Sequence, residues 1–174
     1  VCTMNSAKQF DVKRNIMSGS IPSCVDKLTA MRSLKLSDNK FTGTMPEALH
    51  AMTNLQKLFI DGNFFSGNPL VVFDEIQSLE FVYAEDNEFH GLLDDNYPRH
   101  MKHLMALDLS ANNFTSHVFP SRLLQLPELR ILDLSMNSLQ GHKPDQLEVN
   151  SVLWFFSVYK NMLEGGIPSS LTSL

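Results

Sequence analysis

Two histidines are the first residues in this chain of 174 amino acids whose type and spacing suggest chemistry. His100 and His103 are three residues apart, a spacing that would place both imidazoles on one turn of a helix as a metal pair. A stable metal site needs a fuller ligand set, and neither a cysteine nor a third ligand is evident near them in the sequence. We therefore expect two solvated histidines, and the sequence predicts no metal and no cofactor.

Catalytic motifs are also missing from the sequence. It contains no G-x-S-x-G nucleophile elbow, no phosphate-binding glycine loop and no H-E-x-x-H metal motif. A net charge of −5 and a pI near 5.6 argue against general nucleic-acid binding and against adsorption to anionic membranes. The longest apolar run, near Val152–Val158, is too short to span a bilayer. These observations predict a binding protein and not an enzyme.

A period of 24 to 25 residues runs along the whole chain and explains most of its apolar residues. Apolar pairs lie five and three residues before each repeating asparagine, beginning with Phe10 and Val12 and ending with Phe156 and Val158. An apolar residue follows two positions after each asparagine, and glycine follows four positions after it in all repeats but one, where Ser116 stands. The asparagines, separated by 24, 24, 24, 25, 25 and 24 residues, are Asn15, Asn39, Asn63, Asn87, Asn112, Asn137 and Asn161.

Each apolar pair predicts a short strand with two side chains on its inward face, because alternate residues of a strand point to opposite sides. Stacked coils would then bury one another's apolar pairs beneath a parallel sheet. The asparagine follows this strand, where its amide can both donate to and accept from backbone groups of the turn. We expect the seven asparagines to form a buried structural ladder, with a glycine of positive φ following each turn.

Residues 34–46 (LKLSDNKFTGTMP) and 161–168 (NMLEGGIP) resemble the plant-type leucine-rich repeat, L-x-x-L-x-L-x-x-N-x-L-x-G-x-I-P. Members of this family include ectodomains of receptor-like kinases, receptor-like proteins and polygalacturonase-inhibiting proteins. The resemblance implies an α/β solenoid, a right-handed superhelix of seven coils with a parallel concave sheet and short 3-10 or irregular convex turns. It covers residues 1–174 as one domain of a longer chain, with an eighth repeat beginning at 169–174.

Two modifications are predicted for a secreted protein. Cys2 and Cys24 lie on neighbouring coils, two residues out of register, so a disulfide is within reach, although two separate thiols are the alternative. Asn113-Phe114-Thr115 is an N-glycosylation sequon whose asparagine should point outward from its turn.

The outward-facing strand residues are free to serve recognition, since the core does not determine their identity. Repeats three and four place aromatic residues on this face, with acidic residues around them. Exposed aromatics with a charged border are typical of binding hot spots, whereas cross-strand packing is the alternative. The predicted partner-binding residues are Phe59, Asp61, Phe81, Tyr83, Glu85 and Asp86.

The favoured function is binding of a protein or peptide ligand, with an acidic border that suits a basic partner. The resemblance implies an extracellular or secretory location, although an intracellular or organellar complex is the alternative. Two other functions remain open at this point: a structural subunit of a larger multi-protein assembly, and an inhibitor of a secreted hydrolase. No nucleic acid and no membrane insertion of this segment are predicted.

Overall fold

Short parallel strands form the framework of the computed structural model, which describes residues 3–93, 98–142 and 150–167. Within these ranges the strands, in chain order, are β1 (Gln9–Asp11), β2 (Ser18–Gly19), β3 (Ser33–Lys35), β4 (Lys40–Thr44), β5 (Lys57–Phe59), β6 (Phe64–Gly67), β7 (Phe81–Tyr83), β8 (Glu88–Leu92), β9 (Ala106–Asp108), β10 (Asn113–Ser116), β11 (Ile131–Asp133), β12 (Ser138–His142), β13 (Phe155–Ser157) and β14 (Met162–Glu164).

The odd-numbered strands form a seven-stranded parallel sheet, called the first sheet below, in the order of the chain. Its register aligns each apolar pair with the next, so that Leu34 pairs with Leu58 and Leu58 with Val82. The outward residues align in the same way, with Phe59 beside Tyr83. The register predicted from the 24- to 25-residue period is therefore the register of the sheet.

The core lies behind the first sheet and consists of rows of equivalent residues from successive coils. Leu58, Val82, Leu107 and Leu132 are fully buried. The row after the asparagines contributes the fully buried Phe65, Phe89 and Phe114, and Phe65 stacks on Phe89 with 6.1 Å between ring centroids. Burying one such side chain contributes about 1.5–3 kcal/mol. The coil at each end of the described chain has a neighbour on one side, so Phe10 and Phe156 are only partly buried.

The even-numbered strands form a second seven-stranded parallel sheet, which the sequence analysis did not predict. These strands follow the asparagine turn, in the segments that we expected to be irregular. Their hydrogen bonds join neighbouring coils, so the paired residues are more than 20 positions apart in the sequence, as in the pairing of Gly43 with Phe65. The extended conformation of these strands therefore depends on hydrogen bonds to the neighbouring coil. Their own sequences carry only a weak strand pattern.

Short helices return the chain from the second sheet to the first, as the resemblance implied. Among the described residues, three are 3-10 helices (Ser23–Lys27, Glu47–Ala51 and Ser121–Gln125), and one turn is α-helical, α1 (Leu70–Phe73). A proline precedes each of the four (Pro22, Pro46, Pro69 and Pro120). Proline lacks an N–H and has a fixed φ, so it suits the start of a helical turn. No helix of the described ranges is long and apolar enough to cross a bilayer.

The asparagines of the repeat form a continuous hydrogen-bond ladder. The amide of Asn63 donates to the backbone oxygens of Leu36, Ile60 and Asp61, and its Oδ1 accepts the N–H of Phe41 at 3.0 Å. Asn39, Asn87, Asn112, Asn137 and Asn161 repeat this pattern. Each amide thus joins two coils at the turn.

Burial of the ladder is less complete than expected. Asn39 and Asn63 are buried, Asn87, Asn112, Asn137 and Asn161 are half-buried, and Asn15 is exposed. Asn15 belongs to the first described coil and donates only to carbonyls of its own turn, at Val12 and Lys13. The expectation of a fully buried ladder was wrong for Asn15, because no earlier described coil covers it.

Backbone conformation at the turn differs from the expectation in one respect. The residue directly before each asparagine has positive φ, including the non-glycine residues Ala111 and Met136. The six predicted glycines also have positive φ. In the fifth repeat, Ser116 stands at the position that glycine occupies in the other six. Ser116 is buried, and its hydroxyl donates to the backbone oxygen of Gln140 at 2.7 Å. At Gly141, a Cβ atom would lie 2.6 Å from the backbone oxygen of His117, so this coil requires glycine.

Candidate functional site

The outward residues of the first sheet form a hollow of about 270 Å³ over repeats one to four. We call it the aromatic hollow, because two aromatic rings lie in its floor. It is lined by Lys13, Arg14, Lys35, Ser37, Asp38, Phe59, Asp61, Tyr83 and Glu85. Four of the six predicted partner-binding residues are therefore among its lining residues.

Phe59 and Tyr83 stack on each other in the centre of the hollow. Their ring centroids are 5.3 Å apart with an interplanar angle of 5°, because β5 and β7 place them directly opposite. The ammonium of Lys35 lies 5.7 Å from the Phe59 centroid, at the distance of a cation–π contact. Lys35 also pairs with Asp11, with 3.6 Å between Nζ and Oδ2. Both rings are half-buried, so cross-strand packing is part of their role.

Phe81 lies on the same strand as Tyr83 but in a different row of the sheet. It is aligned with Lys57 on one side and Ala106 on the other. The ammonium of Lys57 lies 5.5 Å from the centroid of its ring. We had expected Phe59, Phe81 and Tyr83 to form one group, whereas the structure pairs the first and last and leaves Phe81 beside a lysine.

Acidic side chains border the aromatic pair on the side of the later repeats. Glu85 and Asp61 line the hollow, and Asp108 and Asp133 continue the row that contains Tyr83. Burial raises the pKa of Glu85 from 4.5 to about 7, and the charges of Asp108, Asp61 and Asp133 add to this effect. Burial likewise raises the pKa of Asp108, and burial next to Asp108 and Glu85 raises the pKa of the Tyr83 hydroxyl. This side of the hollow favours positive charge.

The carboxylates of Asp61 and Asp108 accept hydrogen bonds, whereas one buried oxygen of Glu85 accepts none. The hydroxyl of Ser37 donates to Asp61, and the N–H of Ser110 donates to Asp108 at 2.9 Å. Oε2 of Glu85 is buried and, among the described residues, has no hydrogen-bond partner. A buried carboxylate oxygen without a donor is costly, and a cationic or N–H group of a ligand would satisfy it.

Basic side chains border the hollow on the side of the first repeats, which the sequence analysis did not identify. Lys13 and Arg14 lie there together with Lys35, and Arg14 also contacts Asp38 at 3.4 Å. The signal was present in the sequence, because Lys13 and Lys35 occupy the same outward rows as Glu85 and Tyr83. The hollow is therefore positive at one end and negative at the other, with the stacked rings between.

Asp86 lies away from this arrangement. It occupies the positive-φ turn position before Asn87, with a φ of 54°, and its side chain is exposed. Within the described chain it is not among the residues that line the hollow. Its role in partner binding stays a prediction, and the geometry favours Asp61 and Glu85.

The remaining predicted sites are dispersed. Cys24 is disulfide-bonded, whereas Cys2 lies outside the described residues, so their pairing stays a prediction. Asn113 is exposed on β10 of the second sheet. His103 contacts Glu128, whereas His100 contacts Asp74. The two histidines therefore have different acidic partners. The apolar positions of the eighth repeat, Leu171 and Leu174, also lie outside the described residues.

Comparison with known proteins agrees with the repeat fold. The profile of the Leucine Rich Repeat family matches residues 30–52 and 128–149. Receptor-like protein 39 of Arabidopsis thaliana is 35% identical over 83 residues, which is 47% of this chain and 9% of that protein.

Solved plant receptor ectodomains are similar over nearly the whole chain. The plant peptide hormone receptor RGFR1, in complex with RGF2, is 31% identical over 95% of this chain and 26% of that one, with a TM-score of 0.87. The receptor kinase GASSHO1/SCHENGEN3 of Arabidopsis thaliana, in complex with CASPARIAN STRIP INTEGRITY FACTOR 2, is 30% identical over 98% of this chain and 20% of that one, with a TM-score of 0.88. The Arabidopsis receptor kinase HAESA, in complex with the peptide hormone IDA and the co-receptor SERK1, is 25% identical over 98% of this chain and 28% of that one, with a TM-score of 0.88.

The chain spans less than a third of these solved ectodomains and about a tenth of the matched receptor-like protein. The two parallel sheets and these similarities confirm the predicted leucine-rich repeat solenoid. They also confirm the resemblance to plant receptor ectodomains.

Proposed function

We propose that this chain is a peptide-binding module of an extracellular receptor-like protein, and that its ligand lies on the first sheet across the aromatic hollow. One observation carries the proposal: a stacked pair of aromatic rings lies between a basic border and an acidic border on a rigid sheet. Aromatic anchors surrounded by charged groups are typical of binding hot spots. Three solved neighbours are plant receptor ectodomains whose structures contain peptide hormones or related factors, which supports the same class of ligand.

The charges of the hollow suggest the orientation of the ligand. A lysine, arginine or amino group of the peptide would lie next to Glu85, Asp61 and Asp108, where the buried Oε2 of Glu85 would gain a donor. An acidic group of the peptide would lie towards Lys13, Arg14 and Lys35. An apolar or aromatic side chain between them would pack on Phe59 and Tyr83. Because the sheet is already formed, the protein would lose little conformational freedom on binding.

The disulfide at Cys24 supports an extracellular location. Disulfides persist in secreted and extracellular proteins and are rare in the cytosol, where thiols are kept reduced. The similarity to plant receptor ectodomains points in the same direction.

Selection of displayed random peptides on the purified protein tests this proposal. Counter-selection would use a variant that carries Tyr83→Ala and Glu85→Lys, which removes one ring and reverses one charge of the hollow. We expect the enriched peptides to contain a basic residue near an apolar one and to bind the variant at least about tenfold more weakly. Peptides that bind both proteins equally well would show that the ligand site lies elsewhere.

A second candidate function, as a subunit of a larger assembly, is favoured by aromatic residues on the last described coil. Trp154 is 71% exposed and Tyr159 is 64% exposed, and Trp154 contacts the edge of Phe155 with 6.4 Å between centroids. Exposed aromatic clusters are typical of surfaces that contact other proteins. Size-exclusion chromatography of the full-length protein with mass detection distinguishes the two: an assembly subunit would elute with its partners, and a receptor module would elute alone until its ligand is added.

A further inference from the structure

A cluster of three side chains lies on the helical side of repeats three and four, away from the aromatic hollow. Asp74 directly follows α1, Glu75 is its neighbour, and His100 belongs to the next coil. The ligand atoms that the three side chains offer all lie within 4.8 Å of one another. Nothing in the proposed peptide recognition uses these residues.

Asp74 is held in place by the backbone of the next coil. Its side chain is only 2% exposed, and its Oδ1 accepts the N–H groups of Arg99 at 2.7 Å and His100 at 2.9 Å. These two hydrogen bonds satisfy the buried Oδ1 of Asp74. They also fix the orientation of the carboxylate, so that Oδ2 lies 3.3 Å from Nδ1 of His100.

The imidazole of His100 turns its Nδ1 towards both carboxylates. Oε1 of Glu75 lies 3.9 Å from the same nitrogen, on the exposed side of the cluster. Nδ1 itself is buried, and within the described ranges it lies at ion-pair distance from both carboxylates but makes no hydrogen bond of good geometry. The arrangement thus places one imidazole nitrogen 3.3 and 3.9 Å from two carboxylate oxygens, with all three atoms within 4.8 Å of one another.

We propose that Asp74, Glu75 and His100 bind a divalent transition-metal ion of the Zn²⁺ type, with water completing the coordination. Imidazole nitrogen together with carboxylate oxygen suits Zn²⁺ and its neighbours in the first transition row, whereas Ca²⁺ and Mg²⁺ prefer oxygen ligands alone. The ion would satisfy Nδ1 of His100 and offset the charge of the buried Asp74. It would also join α1 to the following coil.

This site differs from the metal pair considered in the sequence. His103, three residues after His100, is 63% exposed and contacts Glu128 at 3.3 Å. The carboxylates that face His100 come from the preceding coil, with Asp74 at a separation of 26 residues. Local spacing cannot reveal ligands that only the stacking of coils brings together.

Isothermal titration of the chelator-treated full-length protein with Zn²⁺ tests the proposal. The wild-type protein should bind one equivalent at this cluster. His100→Gln and Glu75→Gln should each weaken that binding by at least about tenfold, because each removes a ligand. His103→Gln is the matched control and should leave the affinity unchanged. Asp74 is left intact, because its Oδ1 also stabilises the next coil.

Further measurements separate coordination from a folding defect. The melting temperatures of the metal-free variants should match that of the metal-free wild type, and Zn²⁺ should raise the melting temperature of the wild type and of His103→Gln only. Undiminished Zn²⁺ affinity in His100→Gln, equal affinity for Ca²⁺, or the absence of Zn²⁺ binding to the wild type would each overturn the proposal.

Discussion

Phe59 and Tyr83 lie face to face across β5 and β7, with ring centroids 5.3 Å apart and an interplanar angle of 5°. The two residues are 24 positions apart in the sequence, one repeat of the solenoid. The stack stabilises the first sheet and presents an apolar surface between charged borders. Packing between the two rings is therefore shown by the structure, and recognition is the role that we propose for the same surface.

The first prediction concerns the strength of this stack. Phe59→Ala and Tyr83→Ala should each destabilise the fold, and a double-mutant cycle should give a coupling free energy of about 0.5–1.5 kcal/mol. Urea unfolding of the two single variants and the double variant measures it. Phe81→Ala combined with Tyr83→Ala is the control and should be closer to additive, because Phe81 packs beside Lys57. Strictly additive effects of Phe59→Ala and Tyr83→Ala would contradict an energetically coupled stack.

The second prediction concerns the pH dependence of stability through Glu85. Its pKa in the folded protein is about 7, above the ordinary value of 4.5, so the native state binds this proton more tightly than the unfolded state does. The resulting stability is fully present below pH 4.5 and is lost as the pH rises through 7. With allowance for solvent screening of a half-buried group, the loss should be about 1–2 kcal/mol.

Glu85→Gln removes this titration. Relative to the wild type, the variant should gain stability as the pH is raised from 4.5 to 8, as measured by denaturant unfolding at several pH values. Glu88→Gln, at an exposed position of β8, is the matched control for the loss of one carboxylate. A pH-independent difference for Glu85→Gln would mean that the folded state does not raise this pKa.

The third prediction concerns the asparagine ladder. Asn63→Ala removes three donated hydrogen bonds and one accepted hydrogen bond at a buried turn, and should cost about 2–4 kcal/mol. Asn15→Ala removes two donated bonds at an exposed turn and should cost less than about 1 kcal/mol. Thermal or denaturant unfolding of both variants measures the difference. Equal losses would show that the contacts between coils contribute little.

The fourth prediction concerns glycosylation at Asn113. The asparagine is exposed on β10, so a glycan should attach when the protein passes through a eukaryotic secretory pathway. Mass spectrometry should detect the glycan in the wild type and in Thr115→Ser, which keeps the sequon, but not in Asn113→Gln. An unmodified wild type in secreted material would contradict the prediction.

The fifth prediction concerns the disulfide. If Cys24 is bonded to Cys2, Cys2→Ser should lower the stability by about 3 kcal/mol, the value for closing a loop of roughly this length. Peptide mapping without reduction should identify the linked pair, and the reduced wild type should lose about as much stability as the variant. Detection of a free Cys2 thiol in the native protein would exclude the pairing.

The sequence alone determined the repeat length, the register of the first sheet and the side to which each strand residue points. The repeat length and the register follow from comparison of the seven repeats, and the alternation within a single strand assigns Leu58 to the core and Phe59 to the surface. The asparagine positions were predictable for the same reason, since the turn after each strand needs a side chain that donates and accepts.

Tertiary structure decided how closely the aligned surface residues pack and how far they are buried. The rings of Phe59 and Tyr83 stack, whereas the ring of Phe81 lies beside the ammonium of Lys57. Glu85 is half-buried near Asp61 and Asp108, and this burial raises its pKa. The second sheet arises in the same way, because its hydrogen bonds join segments a full repeat apart. These features depend on the distance between neighbouring coils and on the conformations of the side chains. Neither is written in any short segment, so these features became visible only in the folded chain.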